Sequence, residues 1–194
     1  MRRYLSIYLM AIAMFWVGVL IIMIGHKVNL GPYEFWQATI SRQVGWARWS
    51  EVVFAAINTI AGIMMLFFVH KNVSGWSIPK YMKEVLYAAI ILFFLVSFVP
   101  YDPTINTHIA HQVLAFSMMT LAAIFVSATF IKNKQNLSRI NLASGVFMLV
   151  IAVITVILFF VSFSTLWNMI FFVESFYIIG FFVFLPTIPV KSSI

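Results

Sequence analysis

Long apolar runs separated by short polar gaps organise the whole of this chain. Six can be traced, at residues 5–24, 52–69, 85–99, 105–131, 142–163 and 166–185. A bilayer core about 30 Å thick takes roughly 20 apolar residues per crossing helix, and the runs cluster around that length. The third is short and is closed by Pro100, but Lys83 can snorkel at one end and Tyr101 can sit at the interface at the other. Asn106 or Thr107 is placed to cap the fourth. Only Ser164 and Thr165 separate the fifth from the sixth, which predicts a tight antiparallel hairpin, and Pro186 and Pro189 end the last helix. Arg2 and Arg3 ahead of the first run imitate a signal peptide. That run is longer than a signal core and no small-x-small cleavage site follows it, so a retained helix is expected. The pattern predicts an all-α integral membrane bundle of six transmembrane helices forming one domain.

Composition sharpens this reading. Apolar residues make up 63% of the 194 positions and charged residues 9%, whereas soluble domains carry about a quarter charged residues. Mean hydropathy is +1.04. Twelve basic residues against five acidic ones form no stripe with interleaved aromatics, which argues against a nucleic-acid partner. The absence of cysteine excludes disulfides, thiolate metal sites and cysteine nucleophiles.

The basic residues also orient the chain. Arg2, Arg3, Lys71, Lys80, Lys83, Lys132, Lys134, Arg139 and Lys191 fall on one side, and Lys27, Arg42 and Arg48 on the other. The positive-inside rule puts the first group and both termini in the cytoplasm. The long segment 25–50 then lies outside. It carries Tyr33, Phe35, Trp36, Trp46 and Trp49, residues suited to the headgroup level, and reads as an interfacial segment or as a lid over a site between the helices. Asn58 and Gly62 recur at the same spacing as Asn141 and Gly145, but the offset does not superpose the first helix on the fourth.

Candidate chemistry resides in polar groups that apolar surroundings make costly. At about 1.5 Å per residue, Glu174 lies about 12 Å below the outer surface, Asn58 about 10 Å and His111 about 8 Å. An ionisable group at such depth should face inward and have a partner, which makes Glu174 the leading site residue, within hydrogen-bond reach of Asn58 or His111. His108 and His111, three apart, share a face that continues through Ala115. Glu51, Ala55, Asn58 and Gly62 form a stripe of small and polar residues on the second helix, as at helix contacts in membranes. Asp102 joins them at the outer end. Three readings fit Glu51, Asn58, Asp102, His108, His111 and Glu174: a structural polar contact, a pocket for a ligand or lipid headgroup, or a metal site. In the last, His108, His111, Asp102 and Glu174 would be the ligands and zinc the metal.

The stretch Phe98-Val99-Pro100-Tyr101-Asp102-Pro103, followed by His108, His111 and Ala115, resembles the hallmark of domain-of-unknown-function group 998. Ile40-Ser41 and Trp49 before the second helix, Gly62 within it and Glu174 in the last extend the likeness over most of the chain. The histidines here are three rather than four apart, and Ser175 stands where that family has arginine after the glutamate. The resemblance implies a polytopic protein of a bacterial or archaeal plasma membrane and names no reaction.

Function then divides into two main classes. One is a non-enzymatic protein that binds a membrane lipid or small solute, or supports other membrane subunits. The other is a metal-dependent intramembrane hydrolase or lipid-modifying enzyme. The residue types of the seven-helix ceramidase superfamily are present, but its His-x-x-x-His on a late helix is not. A transporter is disfavoured because the inner halves of the helices are almost wholly apolar.

Overall fold

The computed structural model describes residues 4–30, 48–99, 107–161 and 170–191, with side chains at 4–25, 49, 52–99, 109–157 and 173–191. Among these residues the chain forms six α-helices: α1 (Leu5–Leu30), α2 (Arg48–Asn72), α3 (Met82–Leu95), α4 (Thr107–Asn133), α5 (Arg139–Val161) and α6 (Ile170–Phe184). Single 3-10 turns extend α2 (Val73–Gly75), α3 (Val96–Phe98) and α6 (Leu185–Thr187). The described residues contain no β-strand, only an isolated antiparallel bridge between Trp76 and Val190. β-Branched Val and Ile favour strands in water, but an apolar medium offers no partner for an unpaired backbone group. Helices satisfy those groups within the segment.

Four helical stretches are long and apolar enough to cross a bilayer: Leu5–Gly25, Val52–Gly75, Ile109–Asn133 and Arg139–Ile157. A shorter apolar stretch spans Val173–Thr187. Large apolar side chains point outward along them, Val52, Ile63, Val113 and Val153 each more than half exposed, while Asn58, His111, Thr129 and Asn141 are buried. A water-soluble fold has the opposite polarity, so this is the exterior of a membrane-embedded helical protein. Two buried threonine hydroxyls are satisfied along their own helices: Thr129 Oγ1 donates to the Phe125 carbonyl at 2.8 Å and Thr155 Oγ1 to that of Ile151 at 2.8 Å.

Two boundaries differ from the apolar pattern. α1 runs on through Gly25, His26 and Lys27 to Leu30, and α2 begins at Arg48, so the helices take residues from both ends of the expected outer segment 25–50. The apolar run measures the length that avoids water, whereas the helix continues until its hydrogen-bond ladder stops. Residues 31–47, with Trp36 and Trp46, lie outside the described residues, as does the expected turn at Ser164 and Thr165.

α3 has the more consequential ending. Its α-geometry stops at Leu95, tightens to a 3-10 turn, and reaches Val99 in extended conformation (φ −112°, ψ 97°). Val99 precedes Pro100, whose ring disfavours the helical region for its neighbour. The break takes the Val99 carbonyl out of the helical ladder and makes it available to a side chain.

The helices pair in sequence as three hairpins, α1 with α2, α3 with α4, and α5 with α6. Tyr4 meets Phe67 edge-on at 5.7 Å between ring centroids, and Tyr8 meets Phe68 at 4.4 Å, which sets the start of α1 beside the end of α2. At that same end the connecting segments are knitted together. Lys132 Nζ donates to the Ile78 carbonyl at 2.6 Å, Asn133 Nδ2 to that of Ser77 at 2.6 Å, and Asn141 Nδ2 to Thr187 Oγ1 at 3.0 Å. Lys71, Lys80, Lys83, Lys134, Arg139 and Lys191 are thus gathered at one end of the bundle.

Candidate functional site

Toward the opposite end, α2, α3 and α6 meet around a cavity of about 80 Å³. Asn58 from α2, Ser97 from the turn after α3 and Glu174 from α6 supply its polar lining. Phe15, Phe54, Phe93 and Tyr177 supply aromatic walls, and α4 contributes Ala115, Met118 and Met119.

The close approach of α2 and α3 rests on Gly62. A Cβ at that position would stand 2.7 Å from Cγ and Cδ2 of Phe94, so only hydrogen fits there. One turn earlier on the same stripe, Asn58 is 1% exposed and its Nδ2 donates to Ser97 Oγ. Its Oδ1 is buried with no hydrogen-bond partner among the described residues. An acceptor in that state costs about 1–3 kcal/mol unless something donates to it. Tyr177, also lining the cavity, uses its hydroxyl to donate to the Met119 carbonyl at 2.8 Å. The proton of that hydroxyl is therefore committed elsewhere.

His111 is buried on the first turns of α4, one turn above Ala115. Its Nδ1 donates to the Val99 carbonyl at 2.5 Å. A carbonyl can only accept, so Nδ1 carries a proton, and in the Nδ1–H tautomer Nε2 is the acceptor nitrogen. The proline-induced break in α3 thus serves twice, giving His111 a carbonyl and Asn58 a hydroxyl.

No protein-family model, curated protein or solved structure matches this chain.

Of the six candidates, Asn58 and Glu174 line the cavity and His111 sits one turn above it. Glu51 and His108 fall on α2 and α4, with side chains outside the described residues, and Asp102 lies outside them altogether. Among the described residues no three His, Asp or Glu side chains converge as metal ligands do. Ser97 was not foreseen. The available signal was a lone hydroxyl three residues before a helix-breaking proline, at the outer depth already assigned to Asn58.

Proposed function

We propose that the chain crosses a plasma membrane six times, with both termini cytoplasmic, and binds the ammonium-bearing end of a lipid headgroup or small solute in the cavity at Asn58, Ser97 and Glu174. Length supports the two shorter crossings: α3 rises about 21 Å and α6 about 22 Å, and the 3-10 turn after each adds about 6 Å, close to an apolar core of about 30 Å. The gathering of lysines and arginines at one end supports the orientation. Cysteines replacing Trp36 and Asp102 should react with an impermeant thiol reagent added outside intact cells, and those replacing Gly75 and Gln135 should not. The reverse pattern would move the cavity to the cytoplasmic side.

The observation that carries binding is the buried, unpartnered Oδ1 of Asn58, a residue that lines the cavity together with Glu174 and four aromatic side chains. Acceptors, negative charge and ring faces together suit a cation that donates hydrogen bonds. The space is smaller than the engineered cavity of about 150 Å³ that accepts benzene, so it takes an end group of a few heavy atoms and not a whole lipid. Ethanolamine should raise the thermal midpoint of the purified protein saturably, and ethylene glycol should not. Equal shifts with both would remove the ammonium assignment, and no shift with either would remove the binding reading.

Metal-dependent hydrolysis is the alternative, favoured by the Nδ1-protonated ring of His111. A zinc-bound histidine commonly donates its other nitrogen to a carbonyl in this way. On that reading, purified protein carries about one zinc per chain, lost in His111→Ala. Metal-free preparations that still bind ethanolamine would exclude it.

A further inference from the structure

A second cavity lies at the basic end, remote from Asn58. It measures about 570 Å³ and sits between the end of α2, the start of α3 and the C-terminal segment. Lys80, Lys83 and Lys191 line it, together with His70, Ser74 and Tyr87.

The wall bearing Lys191 is built into the fold. The chain after α6 returns to the segment after α2, where Ser77 N donates to the Pro189 carbonyl at 2.7 Å and Lys191 N to that of Gly75 at 2.8 Å. Trp76, between those bonds, is 1% exposed and its ring packs 6.1 Å from that of Phe68. Lys191 Nζ also donates to the Ser74 carbonyl at 2.9 Å, which holds its ammonium at the cavity rim. On the opposite wall, Tyr87 Oη is 3.4 Å from His70 Nδ1. Glu84 is the nearby acid, 3.6 Å from Lys83 with both side chains more than half exposed, and a solvated pair of that kind neutralises little. Lys80 and Lys83 at the entry to α3 and Lys191 on the returning C-terminal segment therefore line one hollow with a positive balance, Lys80 Nζ resting 5.5 Å over the Tyr81 ring.

Like charges held together by a folded scaffold repel unless an anion joins them. The hollow lies at the helix ends, where lipid headgroups sit, and its volume exceeds what a phosphate and its glycerol require. Basic hollows between membrane helices on the positive side are the sites where anionic headgroups dock. We infer that the cavity lined by Lys80, Lys83 and Lys191 binds a phosphate group, from an anionic phospholipid or a soluble phosphate.

The test uses the full chain purified in an uncharged detergent and compares phosphatidylglycerol, phosphatidylcholine and inorganic phosphate as probes. Phosphatidylglycerol should bind the wild type and raise its thermal midpoint, with phosphatidylcholine clearly weaker. Each lysine near a headgroup is worth about a fivefold change in affinity, so Lys80→Gln/Lys83→Gln/Lys191→Gln should lose on the order of 100-fold. Should that variant fail to fold for lack of the Ser74 contact, Lys80→Gln/Lys83→Gln leaves the contact in place and should lose about 25-fold. Lys134→Gln, a basic residue of the same end outside the cavity, should lose almost nothing. Equal shifts with inorganic phosphate and phosphatidylglycerol would identify the soluble anion as the occupant. Unchanged phosphatidylglycerol affinity in the cavity variants, or an equal loss in Lys134→Gln, would overturn the site.

Discussion

Replacing Gly62 with leucine should lower the thermal midpoint of the purified protein by on the order of 2–12 °C, from an overpacking cost of about 1–3 kcal/mol. The clash falls on Phe94 at Cγ, the base of the ring, which cannot swing clear as a side-chain tip would. Phe94 is buried and stacks edge-on against Phe93 at 4.9 Å, so α3 itself must move away from α2. That movement separates Asn58 from Ser97 and opens the cavity, so binding should be lost with stability. Gly62→Ala should be milder, because alanine recovers up to about 1 kcal/mol of helix propensity. Gly75→Ala is the control, since a Cβ there meets nothing within 4 Å. Equal effects of Gly62→Leu and Gly75→Ala would show that the α2–α3 approach does not depend on this residue.

The helices were legible in the sequence because an apolar run long enough to cross a bilayer has few alternatives. Their ends were less legible, as α1 shows by continuing past Lys27. Charge tells where water begins, and backbone hydrogen bonding decides where a helix stops. Asn58 and Glu174 were legible as costly polar groups at one depth. The part of Ser97 was not, because it depends on the tightened turn ahead of Pro100 and on rotation of α3 toward α2. The basic cavity was hidden for the same reason. Lys191 is far from Lys80 and Lys83 in sequence, and only the return of the C-terminal segment to Trp76 brings it to them.

Glu174→Gln should leave the thermal midpoint of ligand-free protein nearly unchanged and lower the affinity for ethanolamine by about 10- to 100-fold, the worth of one charge-assisted hydrogen bond. Glutamine keeps the shape and an acceptor while removing the charge that an ammonium group requires. Glu174→Leu should abolish binding and also lower stability, since it removes the acceptor altogether. A carboxylate that only joined helices would give the same ranking of Gln and Leu by stability, but neither substitution would affect a ligand. Asn58→Leu leaves Ser97 Oγ buried without its donor and should cost about 1–3 kcal/mol. Asn58→Leu/Ser97→Ala removes both members and should recover part of that loss.

The most direct test is native mass spectrometry of wild-type protein and Glu174→Gln, each released from membranes into the same mild detergent. The wild type should retain one amine-bearing small molecule or lipid per chain that Glu174→Gln lacks, with both proteins folded. The same adduct on both proteins, or none on either, would contradict a binding site at Glu174.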